Sequence, residues 1–139
     1  MLTIDVRGLP RPQGSMRVFP NGGVAYPPAV IMWRRLVQGA AVEAMMGKPI
    51  FLGAVELRMG FDLPRPASHY GTGRNVTTVK ASAPPWPITM PDLDKLVRAV
   101  GDALTDAGVW KDDSQVVSLT TAKRYGDRPG VLIQVKELE

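Results

Sequence analysis

Cysteine is absent from the 139 residues, which excludes disulfide frameworks, thiolate zinc sites and cysteine nucleophiles. Histidine occurs once, as His69, which rules out a histidine-rich metal centre and leaves little for a catalytic triad. Any bound metal must therefore be held mostly by oxygen, and that points to Mg²⁺, with Mn²⁺ as a substitute. Long apolar runs are missing too, since none nears the ~20 residues of a membrane span. The opening MLTIDVRGLPRPQG carries an acid and an arginine early and no apolar centre, so it does not read as a signal peptide. The expected location is the cytoplasm.

What is present is an ordinary folding composition, 45% hydrophobic and 22% charged, enough for one domain over 1–139 with a modest core. The net charge is +4 and the pI about 9.7, which favours a polyanionic partner without identifying one. The distribution says more. Arginines and lysines are spread through the first ninety or so positions, whereas Asp92, Asp94, Asp102, Asp106, Asp112 and Asp113 crowd one short later stretch. A basic body around an acidic pocket suits phosphodiester chemistry, because cations hold phosphates and carboxylates hold a metal.

Alternation predicts a strand over 2–9, ended by Pro10 and Pro12. A short strand at 16–19 and a turn at Asn21-Gly22-Gly23 predict a hairpin. Apolar residues at helical spacing from Val30 to Met45 predict a helix over 28–46, stopped by Gly47. Residues 50–63 read as a strand with Val55, Leu57, Met59 and Phe61 on one face. The stretch 64–91, rich in Pro, Gly, Ser and Thr, reads as a long flexible basic loop. A second helix is expected over 93–107, stopped by Gly108, then strands at 115–125 and 130–138. This order implies an α+β fold, with two main helices packed on one mixed sheet.

The helix over 93–107 places Leu93, Leu96, Val97, Val100, Ala103, Leu104 and Ala107 on an apolar face, and Asp94, Arg98 and Asp102 at i, i+4, i+8 on another. Singly, each acid has an ordinary explanation. Asp92 is a good N-cap, Asp94 complements the helix dipole, the stripe is an ion-pair ladder, and Asp112-Asp113 is turn chemistry. Together, a helix start and a strand start are expected to converge at one end of the sheet. Three or more carboxylates meeting there repel unless a cation sits among them. Such a cation would polarise a phosphodiester and activate water, with Arg98 holding a phosphate oxygen.

The block DLDKLVRAVGDALTDAGVWKDDSQV, from Asp92 to Val116, resembles the RusA-type Holliday junction resolvases, which are common in phages and prophages. The order of aspartates, the DAL, the AGVW and the DD-x-Q all match that family's pattern without a gap. Weaker similarity covers PRPQGSMR, the long helix and Lys123-Arg124. The resemblance implies that Asp92, Asp94 and Asp113 bind Mg²⁺, that the protein is a homodimer, and that it cuts four-way or otherwise branched DNA by paired symmetric nicks during recombination or repair. No membrane and no small-molecule cofactor is expected. Two positions depart from the pattern: Lys95 replaces an asparagine, and Arg98 replaces the active-site lysine, keeping the charge but not a releasable proton. Asp102 and Asp112 are expected to stabilise the helix or orient the ligands.

Arg11, Arg17, Arg65, Arg74, Lys80 and Lys95, with Gln13, are candidate DNA contacts, and Trp86 or Tyr70 a candidate for stacking at unpaired bases. Trp33 and Trp110 read as core. Two other functions remain open on the residues alone: a Mg²⁺-dependent nuclease for flaps or other branched nucleic acid, and a DNA-binding dimer that does not cleave. The dimer contact is expected at a strand edge or on the helix carrying Trp33.

Overall fold

A computed structural model describes residues 1–139. The chain forms β1 (Leu2–Arg7), β2 (Arg17–Val18), β3 (Val24–Ala25), α1 (Pro28–Met45), β4 (Val55–Leu63), α2 (Leu93–Asp106), β5 (Val116–Tyr125) and β6 (Gly130–Glu137). A four-stranded sheet has the order β1-β6-β4-β5. β6 runs antiparallel to β1 and β4, while β5 runs parallel to β4. The mixed α+β sheet expected from the element order is present in this single domain.

Period-two alternation decides which face of the sheet is covered. Leu2, Ile4 and Val6 of β1, Val55, Leu57, Met59, Phe61 and Leu63 of β4, and Val131, Ile133 and Val135 of β6 are buried. They meet Trp33, Val37 and Ala41 of α1 and Leu96, Ala99, Val100, Ala103 and Leu104 of α2 in one core. The opposite face carries polar neighbours such as Arg58, Thr120 and Gln134 in adjacent register and is left to solvent, as antiparallel and mixed sheets allow.

Several boundaries differ from the sequence reading, each for a local reason. β1 stops at Arg7, because Gly8 has φ +156° and turns the chain toward α1. β4 begins only at Val55, because the carbonyls of Phe51 and Gly53 are taken by the Gln115 side chain, at 2.9 and 3.0 Å. The strand expected at 16–19 is the two-residue β2, paired with β3 in an exposed hairpin. α2 ends at Asp106, and Gly108, at φ +76°, takes the left-handed turn that only glycine adopts without strain.

Residues 64–91 are a folded excursion rather than a featureless loop. Short 3-10 turns occur at Ala67–His69 and Gly73–Asn75, and Tyr70 bridges Val79. Arg65 ties the excursion to the sheet: its guanidinium donates to Pro84 O at 2.9 Å and lies 4.3 Å from the centroid of the Tyr125 ring. His69 meets the same ring edge-on at 5.4 Å. No helix is long and apolar enough to cross a membrane.

Candidate active site

The 3-10 turn Asp113–Gln115 carries the later acids, and hydrogen bonds fix its shape. Asp112 Oδ1 accepts from Ser114 N at 2.8 Å, and Gln115 Oε1 accepts from Lys111 N at 2.8 Å and Asp112 N at 3.2 Å. Because Gln115 Nε2 also donates to Phe51 O and Gly53 O, this one amide pins the turn to the strand entering the sheet. Sequence reasoning assigned Gln115 no role. Its place three positions after Asp112 is the spacing of a capping box, and that signal was present in the residue order.

These bonds drive the two neighbouring carboxyls apart. The Ser114 backbone N–H, then its hydroxyl and the Asp113 carboxyl, hold Asp112 below the usual aspartate range. Asp113 is pushed above it, first by its hydrogen bond with Asp112, then by partial burial and by repulsion from Asp112 and Asp102. The Asp112–Asp113 pair thus shares a proton more readily than isolated aspartates do.

Asp102 sits within electrostatic reach of Asp113, and both line a concavity of about 200 Å³ with Arg98, Val97, Trp110 and Leu119. Asp102 is itself held by Gln13, whose Nε2 donates to Asp102 Oδ2 at 2.5 Å. Gln13 is only 1% exposed, and its backbone N–H donates to Lys95 O at 3.0 Å, so the Pro-rich segment after β1 docks on α2. Gln13 is therefore not free to meet a phosphate, contrary to expectation. Its Oε1 is buried without a partner.

The first acids lie elsewhere. Asp92 precedes α2 but makes no side-chain capping bond, and its Oδ2 lies 3.5 Å from Lys95 Nζ. Asp94 is exposed in the first turn. Neither Asp94 nor Arg98 joins an ion pair, so the ion-pair ladder that was the ordinary explanation of the Asp94, Arg98, Asp102 stripe does not form. Arg98 stays exposed, with its guanidinium uncommitted.

The expectation that the helix start and the strand start converge fails within one chain, for a topological reason. The link from α2 to β5, residues 107–115, is folded into turns, and the two elements run in opposite directions. The start of α2 instead meets the far end of β5, where Lys123 Nζ donates to Thr89 O at 2.7 Å and to Pro91 O at 2.9 Å. Asp113 lies at the near end of β5, against Asp102. At ~1.5 Å per residue, the ten-residue offset from Asp92 to Asp102 corresponds to ~15 Å along the helix. No group of three or more acidic or histidine side chains gathers tightly enough in one chain to hold an ion.

The remaining basic candidates divide into two sorts. Arg11, Arg17, Arg74 and Lys80 are exposed, and none joins an ion pair. Arg65 is turned inward onto Pro84 and Tyr125, and Lys95 faces Asp92. Arg11 also lines a groove of about 340 Å³ walled by Leu9, Pro87, Met90 and Tyr125.

The architecture thus presents a helix start with two carboxylates that cap nothing, a second carboxylate cluster one strand-length away, and free guanidinium groups. Beyond this geometry, the chain is 33% identical over 131 residues to an uncharacterized protein, YqaN, of Bacillus subtilis (strain 168), covering 92% of this chain and 87% of that one. The family model for the endodeoxyribonuclease RusA matches residues 8–136, nearly the whole chain. The protein belongs to the RusA endodeoxyribonuclease family and is an endonuclease acting on DNA.

Proposed function

We propose that this endonuclease resolves Holliday junctions as a Mg²⁺-dependent homodimer, with each active site assembled from both copies. The observation that carries this reading is the opposed placement of the two acidic groups along β5. β5 is an edge strand of ten residues, none of them fully buried. An exposed edge of that length invites pairing with another strand.

Antiparallel pairing of two β5 edges about a two-fold axis sets the near end of one strand beside the far end of the other. Lys123 holds the start of α2 at the far end. Asp113 of one copy then approaches Asp92 and Asp94 of the other, and the same happens again across the axis. Oxygen-only donors suit a hard divalent cation, with Mn²⁺ able to replace Mg²⁺. When bound there, the ion supplies Lewis-acid stabilisation and a more acidic water. Arg98, free of internal partners, offers its fork to a non-bridging phosphate oxygen and offsets charge there. Asp102, fixed by Gln13, orients Asp113 through repulsion rather than by touching the substrate. Two equivalent sites on one two-fold dimer match the symmetry of a four-way junction, and paired nicks follow from that match.

Mixed dimers test this reading. Asp94→Asn and Asp113→Asn proteins should each fail to cut a labelled four-way junction in Mg²⁺ while still binding it. Co-refolded together, they should regain nicking, because a mixed dimer keeps one unmodified Asp94–Asp113 pair. Failure of the mixture to regain cutting, with mixed dimers verified by mass, would overturn the shared site. Full cutting by either single variant would remove that residue from the active site.

A further inference from the structure

The segment immediately upstream of Asp92 carries three large apolar side chains in solvent. Trp86 is 59% exposed, Ile88 80% and Met90 82%. They stand in a proline-rich stretch, SAPPWPITMP, that bends at 85–86 and 89–91, with Ile88 N–H donating to Trp86 O at 3.0 Å. The backbone beneath them is anchored. Pro87 is buried, Arg65 binds Pro84 O, and Lys123 binds Thr89 O and Pro91 O. Prolines at 84, 85, 87 and 91 restrict the chain further. This is an anchored ridge that holds three apolar side chains in solvent, where a merely unstructured loop would leave them free to fold back.

We propose that Trp86, Ile88 and Met90 form an apolar wedge that enters the open centre of a branched DNA and packs on unpaired base faces there. The inference rests on the nuclease reading above and extends it to how junctions are distinguished from duplex. The ridge ends two residues before Asp92, so an occupant of the ridge lies beside the reacting strand. Stretch 81–91 contains no acid, and Arg11 lines the groove whose wall is Met90. A phosphate strand is therefore tolerated on this side, and a base has an apolar face to meet. An intact duplex hides its base faces by stacking, so the ridge gains nothing from it. At a crossover the faces are already open, and apolar side chains can insert at little unstacking cost. Selectivity then comes from the fold of the DNA rather than from its sequence.

The test uses the full-length protein and its Trp86→Ser/Ile88→Ser/Met90→Ser variant, with Ile88→Ser alone as a milder change at a position that packs on nothing. The probe is a four-way junction carrying 2-aminopurine beside the crossover, in Ca²⁺ to prevent cutting, with linear duplex as control. Wild type should brighten the 2-aminopurine. The triple variant should lose that signal and about tenfold or more in junction affinity, the scale of one base stack removed, with duplex affinity and melting temperature unchanged. A triple variant that still brightens the probe and still prefers junction would overturn the wedge while leaving the nuclease reading intact, provided that wild type cuts in Mg²⁺. A wild type that brightens the probe but never cuts would sink the nuclease reading and keep the wedge. Loss of the dimer in the triple variant, with brightening retained, would overturn the wedge and make the ridge a contact between copies.

Discussion

Asp113 is the acid whose protonation state the fold adjusts most directly toward function. Its hydrogen bond with Asp112, its partial burial and the repulsion from Asp112 and Asp102 all favour the protonated form. In the proposed site Asp113 would have to be ionised to hold Mg²⁺, so metal binding would compete with that proton. As pH falls, cutting should therefore fade at a higher pH than an ordinary aspartate dictates. Asp112→Asn removes the largest cause and should move the acid limb of the pH–rate profile downward. An unchanged limb would show that another group controls it. The stability sign is the reverse of the usual aspartate case. A carboxyl raised in the folded state favours folding below its unfolded value, and that contribution is lost as pH rises through the folded value. Metal-free protein should accordingly gain from Asp113→Asn on the neutral side, as read by thermal melts in EDTA. Gln13 acts at the same scale through packing. Gln13→Ala removes a buried bond to a charged group, at a cost of about 1–3 kcal/mol in denaturant titration. It should also loosen the segment after β1 from α2. Loss of cutting without loss of stability would show that Gln13 acts chiefly by positioning Asp102.

β5 is the element whose surroundings are least complete. Val117 is 63% exposed and Leu119 49%, and the strand has a neighbour on one side only. Placing Lys at both positions charges the edge and should leave a folded monomer by sedimentation, with no Mg²⁺-dependent cutting. A surviving dimer would move the contact elsewhere, and the outer side of α1, where Met32 and Leu36 are exposed, is the next surface to test. The elements themselves were largely readable from sequence. The alternation in β4, the helical spacing of α1 and α2, and the stops at Gly47 and Gly108 each express a local rule. The relative direction of α2 and β5 was missed: residues 107–115 would reach back along the helix if extended, at ~3.3 Å per residue, but they fold into turns, among them the 3-10 turn Asp113–Gln115, and release β5 at the end of α2. The roles of Gln13 and Lys123, and the bonds of Gln115 to Phe51 and Gly53, were not legible either, because each one reaches a segment distant in sequence, and no periodicity records that.

Across the whole molecule, the structure separates cations that hold the protein together from cations that are free to hold DNA. Arg7 pairs with Asp5 and Asp62, Arg34 with Asp106, and Arg124 with Asp62, while Arg65 and Lys123 bind backbone carbonyls of the 64–91 excursion. Arg11, Arg17, Arg74, Lys80 and Arg98 are exposed and uncommitted. Composition alone, at a net charge of +4, could not make this division. Junction affinity should fall steeply with salt, since binding by free cations releases counterions from the phosphates. Replacing Arg11, Arg74 or Lys80 by Gln should lower the slope of log K against log salt by about 0.9 for each phosphate that is no longer neutralised on the duplex arms. Arg65→Gln should behave differently. It frees Pro84 O and the Tyr125 face, so it should lower the melting temperature and weaken junction discrimination while leaving the salt slope nearly unchanged. A slope that drops with Arg65→Gln as much as with Arg11→Gln would mean that the Arg65 side chain leaves Tyr125 for the phosphates when DNA binds. The excursion would then close on its substrate instead of waiting preformed.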